Sequence, residues 1–265
     1  MNYFIHLSVH KINKIFFIII FFLILATIDI AQTSEELMME GKQLVDKGVI
    51  SSDLSYLSEA RERFETVLTD DSENYLANYF LAYTDYRLAA YSLQNNEKEQ
   101  FENFIGYSIQ ELNELLESND NNSEVIALLA SAYAFQISAK PDLGSEFGPI
   151  AFYLIFKAYD IDPHNPRVML LSGLSYFNIP KDYGGSKLKA LDDFIKSVKL
   201  FESATDEDDD IAWGYTDALA WLGIAYSEQN DYESAVEVYN KALEVAPDFL
   251  WVKNILLPAA ENKLN

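Results

Sequence analysis

No cysteine occurs among the 265 residues. Thiol catalysis, cysteine metal sites, disulfides and a lipoprotein anchor are thereby excluded. Bases are scarce: 19 lysines and arginines stand against 42 acids, a formal charge of −23. A surface of that sign repels phosphate backbones and argues against general nucleic-acid binding. Histidine is limited to His6, His10 and His164, too few for a typical zinc site. No stretch alternates apolar and polar residues long enough to argue for strands. What is present is 49% hydrophobic and 14% aromatic, enough for a sizeable core.

The N-terminus reads as an export signal. Lys11 and Lys14 precede an uncharged apolar run from Ile15 to Ile28. That run is shorter than the roughly 20 residues a spanning helix needs and suits a signal-peptide core. Ala31–Gln32 is the expected cleavage point, although Asp29 at −3 fits an A-x-A-like site poorly and leaves an uncleaved anchor open. Residues 1–31 are therefore set apart as a signal peptide, and 32–265 as one helical domain, periplasmic or secreted.

Internal periodicity dominates the remainder. In Thr216–Phe249, Leu222, Gly223, Tyr226, Ala235, Tyr239, Ala242 and Pro247 stand in fixed order. Their spacing resembles positions 7, 8, 11, 20, 24, 27 and 32 of the 34-residue tetratricopeptide repeat (TPR). Gly223 and Ala235 are small where two helices cross, the larger residues fill the space beside them, and Pro247 ends the second helix. Weaker echoes lie upstream: Ala60, Phe64 and Val67; Leu81 and Ala82 with Ser108, Leu112 and Leu115; Leu129, Ala130 and Tyr133 with Ala151, Ile155, Ala158 and Pro163; Gly173 and Tyr176 with Ala190, Phe194 and Ser197. The expected fold is all-α, a right-handed superhelix of about five TPR-like hairpins over 34–247 and a capping helix over 248–264.

The stretches 165–191, 213–226 and 247–258 also resemble secreted TPR proteins of Bacteroidetes-type bacteria, which implies fold and export but no reaction. A further similarity is to the periplasmic repeat subunit accompanying some solute transporters. It implies a solute-binding accessory, although the lipid-anchor cysteine expected there is absent.

Departures from the period point to a site. Twelve residues separate positions 8 and 20 in an unmodified repeat. Here Ala82–Ser108, Ala130–Ala151 and Gly173–Ala190 exceed that by about fourteen, nine and five residues, all between the two helices of a pair. The first insertion lacks Gly and Pro and should lengthen both helices. The others, SAKPDLGSEFGP and NIPKDYGGS, should be sharply turning ordered loops. In a solenoid such turns share one edge. Tyr86, Arg87, Phe135, Phe147, Phe177, Asn178, Lys181 and Tyr183 are expected there, an aromatic patch with a few polar groups that suits a binding site. The same aromatics could instead serve as core, with the loops shielding helix ends. The inner groove is expected to be lined by Tyr79, Tyr83, Ser131, Leu170, Leu174, Asp217, Ala220 and Ile224. It lacks a basic clamp and suits an apolar segment or the capping helix.

Catalytic signals are few. No nucleophile elbow, P-loop or H-E-x-x-H occurs, and with so many acids, carboxylate pairs arise by chance. A hydrolase would need two facing acids with shifted pKa values in a cleft. Tyr183–Ser186 reads as a tight turn with Ser186 as N-cap in preference to an anion site. Asp206–Asp210 reads as a solvated helix cap in preference to a calcium loop. Arg87 and Arg167 fall at opposite ends of their helices and should each pair with a neighbouring acid. The sequence thus predicts an exported, non-enzymatic TPR scaffold without cofactor or metal. It would bind a protein, peptide or small organic ligand, or alternatively act as a periplasmic solute-binding accessory of a transport system.

Overall fold

Four-residue linkers set the rhythm of the chain. In the computed structural model, which describes residues 32–204 and 211–264, Asp71–Asn74, Asn119–Asn122 and Asp162–Asn165 each close one helix and open the next. The first linker residue donates its N–H back into the preceding helix: Asp71 to Val67 O at 3.0 Å, Asn119 to Leu115 O at 3.2 Å, Asp162 to Ala158 O at 3.0 Å. The fourth, Asn74, Asn122 or Asn165, accepts from the N–H groups of the new first turn. Each such cap contributes about 1 kcal/mol.

The chain divides into two compact units, Met1–Leu37 and Met38–Asn265. Of the first, the described residues include a capping box in which Thr33 and Glu36 satisfy each other's backbone N–H at 2.9 and 3.2 Å. The expected signal segment and the acidic run Asp206–Asp210 lie outside the described residues.

The hairpins are α1 (Ser34–Ser51) with α2 (Leu54–Asp70), α3 (Tyr75–Gln94) with α4 (Lys98–Ser118), α5 (Ser123–Ala139) with α6 (Gly144–Ile161), α7 (Pro166–Asn178) with α8 (Lys187–Ser203), and α9 (Tyr215–Glu228) with α10 (Tyr232–Val245). A π-turn at Val252–Leu256 leads into the terminal α11 (Leu257–Leu264). No strand occurs among the described residues. The fold is the all-α repeat expected. The second helices are amphipathic, burying one stripe each, such as Leu57, Ala60, Phe64 and Val67 on α2. The first helices α3, α5 and α7 are sandwiched and buried nearly all round.

Helix crossings explain the small residues. A Cβ added to Gly173 would come within 2.5 Å of the Phe194 ring, and one on Gly41 within 2.5 Å of Phe64. Gly223 is covered in the same way by Tyr239. Glycine stands where the facing residue is a ring, whereas Ala82 and Ala130 stand where the repeat position is Leu112 or Ile155. Gly41 extends the pattern to the first pair, whose spacing to Ala60 is also longer than a standard repeat.

The insertions take different forms. The first lengthens α3 and α4 to 20 and 21 residues joined by a short turn. The second is only partly a loop: a 3₁₀ turn at Pro141–Leu143 runs directly into α6, so Gly144–Pro149 is helical. The third is a 3₁₀ turn at Lys181–Tyr183 followed by Gly184 at φ +98°, a left-handed position that favours glycine. Tyr183 packs directly over Gly144, so the second and third insertions brace each other.

One expectation fails. The inner groove is not open along its length, because Tyr79, Tyr83, Ser131, Leu170, Leu174, Asp217 and Ala220 are all buried. Side chains of α3 reach the start of the fifth pair, at Trp213 just before α9 and at Asp217 within it. Tyr83 stacks on Trp213 with ring centroids 4.0 Å apart, and Arg87 reaches Asp217 at 2.9 Å.

Replacing Gly223 by leucine forces a side chain into the Tyr239 ring. Chemical denaturation should show a loss of about 1–3 kcal/mol, and an unchanged midpoint would refute this crossing.

Candidate functional site

Closing the groove leaves a cavity of about 370 Å³ between α3, α9 and the chain end. Its wall begins with the face of α3 that carries Arg87, Ala90, Tyr91 and Gln94, at i, i+3, i+4 and i+7. The last turns of that face exist because the first insertion lengthens the helix. Tyr86 and Phe135 form a second side with rings 5.6 Å apart, and Tyr86 shares a 3.0 Å hydrogen bond with Ser131 Oγ. Trp221 and Trp251, T-shaped at 5.9 Å, and Phe249 close the far side. Gly48, Val49 and Ser52 from the end of α1, with Leu57 of α2, complete the rim.

The charge arrangement is simple. Arg87 and Asp217 are the charged residues in the cavity lining, and they are paired. Burial is the largest influence and would lower the guanidinium pKa, but Asp217 together with Tyr83 and Tyr86 reverses it, and Arg87 stays protonated. Burial pushes the Tyr86 phenol up, so it remains a neutral hydrogen-bonding group. The cavity is therefore aromatic and electrically balanced within a strongly acidic molecule.

The expected site residues separate into groups. Tyr86, Arg87, Phe135 and Asn178 line the cavity together. Phe177 turns aside, T-shaped against Trp221 at 5.4 Å, with the Lys187 ammonium 3.1 Å from its ring centroid. Phe147 packs on Tyr133 at 5.2 Å in a small cluster with Ala134, Ile137, Ala151 and Ile179. Lys181 borders a second recess of about 450 Å³ with Asn178 and Lys187. Tyr183 covers Gly144 and is not among the lining residues of either cavity. Ser186 caps α8, accepting from Lys189 N–H at 3.3 Å.

The repeat pattern does not single out Trp221, Phe249, Trp251 or Tyr91, which also line the cavity. Tyr91 lies within the first insertion, on the added turns of α3, whereas Trp221, Phe249 and Trp251 lie outside the inserted edge and come to α3 only through the packing of the fifth pair and the chain end. Two of the three tryptophans standing in the last 45 residues was the available signal.

Other ionic groups support the frame. Glu124 on α5 accepts from Arg167 Nε through both oxygens at 2.9 Å and from Asn165 at 2.7 Å, while Tyr79 OH reaches it at 3.3 Å. Each expected arginine thus finds its own acid. Asp85 and Glu111 are acids with raised pKa values, about 6 and about 8, mainly through burial; Arg61 opposes the shift in each case. Neither carboxyl borders a cavity described above, and Asp85 is held by Arg61 at 2.8 Å. A further acid, Asp46, is raised to about 6 by burial and by the nearby Asp217.

Residues 216–249 match the tetratricopeptide repeat family. Solved structures share the wider fold. The thermophilic TPR protein TTC0263 of Thermus thermophilus is 18% identical with a TM-score of 0.60, over 88% of this chain and 99% of that one. The HusA haemophore of Porphyromonas gingivalis is 21% identical with a TM-score of 0.58, over 75% and 94%. No curated protein sequence matches the chain. The chain therefore carries a tetratricopeptide repeat at its C-terminal end and has the all-α repeat fold of TPR proteins, a class of helical scaffold.

Asp217→Ala leaves Arg87 without its partner in a mostly buried setting and should cost about 3 kcal/mol in urea denaturation. The double variant Arg87→Met, Asp217→Leu should recover most of that loss. At Glu111 the fold holds a proton that the unfolded chain releases near its ordinary value of 4.5, so stability should fall as pH rises from there towards about 8. Glu111→Gln should flatten that fall in melting curves recorded across the range.

Proposed function

We propose that the protein is an exported, non-catalytic TPR scaffold that binds a small, flat, largely apolar organic ligand in the cavity between α3, α9 and the chain end. One observation carries this reading. The Tyr83–Trp213 stack and the Arg87–Asp217 pair occupy the groove in which an extended peptide would lie, and the space left is an aromatic recess. Its volume lies at the lower end of the range for small-molecule sites. Ligand groups of either charge find no unpaired counter-charge in the lining, which favours stacking and apolar contact over ionic recognition. Asn178 and Gln94 offer the polar contacts that would orient a ligand.

Export rests on the N-terminal segment, with its two lysines, fourteen-residue uncharged run and following Ala31. Among the described residues no helix is long and apolar enough to cross a membrane. The HusA neighbour is described as a haemophore, which makes a porphyrin the first probe to try here.

Haemin and metal-free protoporphyrin should quench tryptophan fluorescence saturably at one molecule per chain, since Trp221 and Trp251 both line the recess. Ala90→Trp fills the recess and should abolish saturable binding without loss of helical signal. Tyr91→Ala should weaken it about tenfold, equivalent to ~1.4 kcal/mol. Undiminished binding by the Ala90→Trp chain would remove the ligand from this cavity. Failure of both porphyrins and of a neutral polycyclic dye to bind the wild type would end the proposal.

A further inference from the structure

The outer face of the repeat carries an anomaly on α6. Second helices of a solenoid turn one side to solvent, and here most of those sides are acidic: Glu59 and Glu62 on α2, Glu114 and Glu117 on α4, Glu237 and Glu244 on α10 are all exposed. On α6 the corresponding surface presents Ile150, Tyr153, Phe156 and Tyr159, at 40%, 67%, 59% and 44% exposure. In its 18 residues α6 contains three charged side chains, Glu146, Lys157 and Asp160. No fold requirement explains this composition, because the buried stripe of the same helix is separately supplied by Gly148, Ala151, Ile155 and Ala158.

We infer that this face is a self-association surface on which α6 of one copy packs antiparallel against α6 of a second copy. The argument has three parts. First, chains of formal charge −23 repel one another over most of their surface, so close approach needs a region nearly free of acids, and α6 provides one. Second, Glu146, Ile150, Tyr153 and Lys157 follow at i, i+4, i+7 and i+11 and so share one side of the helix. A two-fold axis midway between positions 151 and 152 sets Ile150 against Tyr153 of the other copy and Glu146 against Lys157. The single base of α6 thereby meets an acid twice, once on each side of the axis, as an isologous interface requires. Lys157 can serve this role while keeping its contact to Asp120 O. Third, Ile150 and Tyr153 on that side, with Phe156 at its margin, offer on the order of 350 Å² per copy. Doubled, that supplies most of the ~1,000 Å² expected of a specific interface, and flanking contacts supply the rest.

This inference is independent of the ligand cavity, since no α6 residue lines it. It is tested by sedimentation of the full chain as recovered from the expressing cell, beside a Tyr153→Glu, Phe156→Glu double variant. Both substitutions fall on exposed positions and should leave circular dichroism and melting unchanged. Wild type should dimerise in the micromolar range, and the double variant should be at least about tenfold weaker. Because both chains carry the same N-terminal segment, the difference reports on α6 alone. Glu146→Lys should weaken the dimer, and adding Lys157→Glu should restore it. A wild type that stays monomeric at about 100 μM, or a dimer indifferent to the double variant, overturns the inference. So does a monomer that instead co-sediments with phosphatidylcholine vesicles.

Discussion

The contact of α3 with the start of the fifth hairpin, Trp213 before α9 and Asp217 within it, governs everything that follows in this molecule. A tetratricopeptide solenoid ordinarily offers its inner surface to a partner. Here Tyr83 meets Trp213 and Arg87 meets Asp217 across that surface, between residues 130 positions apart in sequence. Both partners of the ion pair are largely withdrawn from water, at 20% and 5% side-chain exposure. Such a pair adds little net stability over an apolar alternative, but either member alone would be costly. Its consequence is geometrical: it fixes how far the superhelix closes and leaves one aromatic recess beside the closure.

Insertion length then decides what surrounds that recess. The extra residues of the second hairpin carry α3 beyond the crossing with α4, so Ala90, Tyr91 and Gln94 reach the cavity wall. The later insertions do different work. Tyr183 lies over Gly144, and Gly184 turns the chain tightly enough to sit beside Phe152. These segments are braced against each other at the edge, where Phe147 packs on a small apolar cluster while Tyr183 keeps part of its ring exposed.

Electrostatics divides the surface into contrasting regions. Excess acids cover the outer helices, whereas the recess contains a balanced pair and α6 carries an almost uncharged aromatic face. A chain of this charge can accept an apolar ligand or a second copy only where the acids have been removed. The same reasoning explains why the buried Glu124 collects Arg167, Asn165 and Tyr79 around itself: in a low-dielectric interior a carboxylate persists only with a full set of donors.

The sequence alone determined the repeat, since spacing, small crossing residues and linker caps act over neighbouring positions: Gly223 against Tyr239, Asn165 over Arg167, Pro247 after α10. It also grouped Tyr86, Arg87, Phe135 and Asn178, which line one recess, because the end of each first helix can be counted from its own repeat. Only the tertiary structure decided that Trp221, Phe249 and Trp251 join them and that the groove is shut. Those outcomes depend on the curvature accumulated over several stacked hairpins, which no single repeat encodes. A small change in the angle at each crossing adds up along the stack, and the contacts of Tyr83 with Trp213 and of Arg87 with Asp217 select the closed sum.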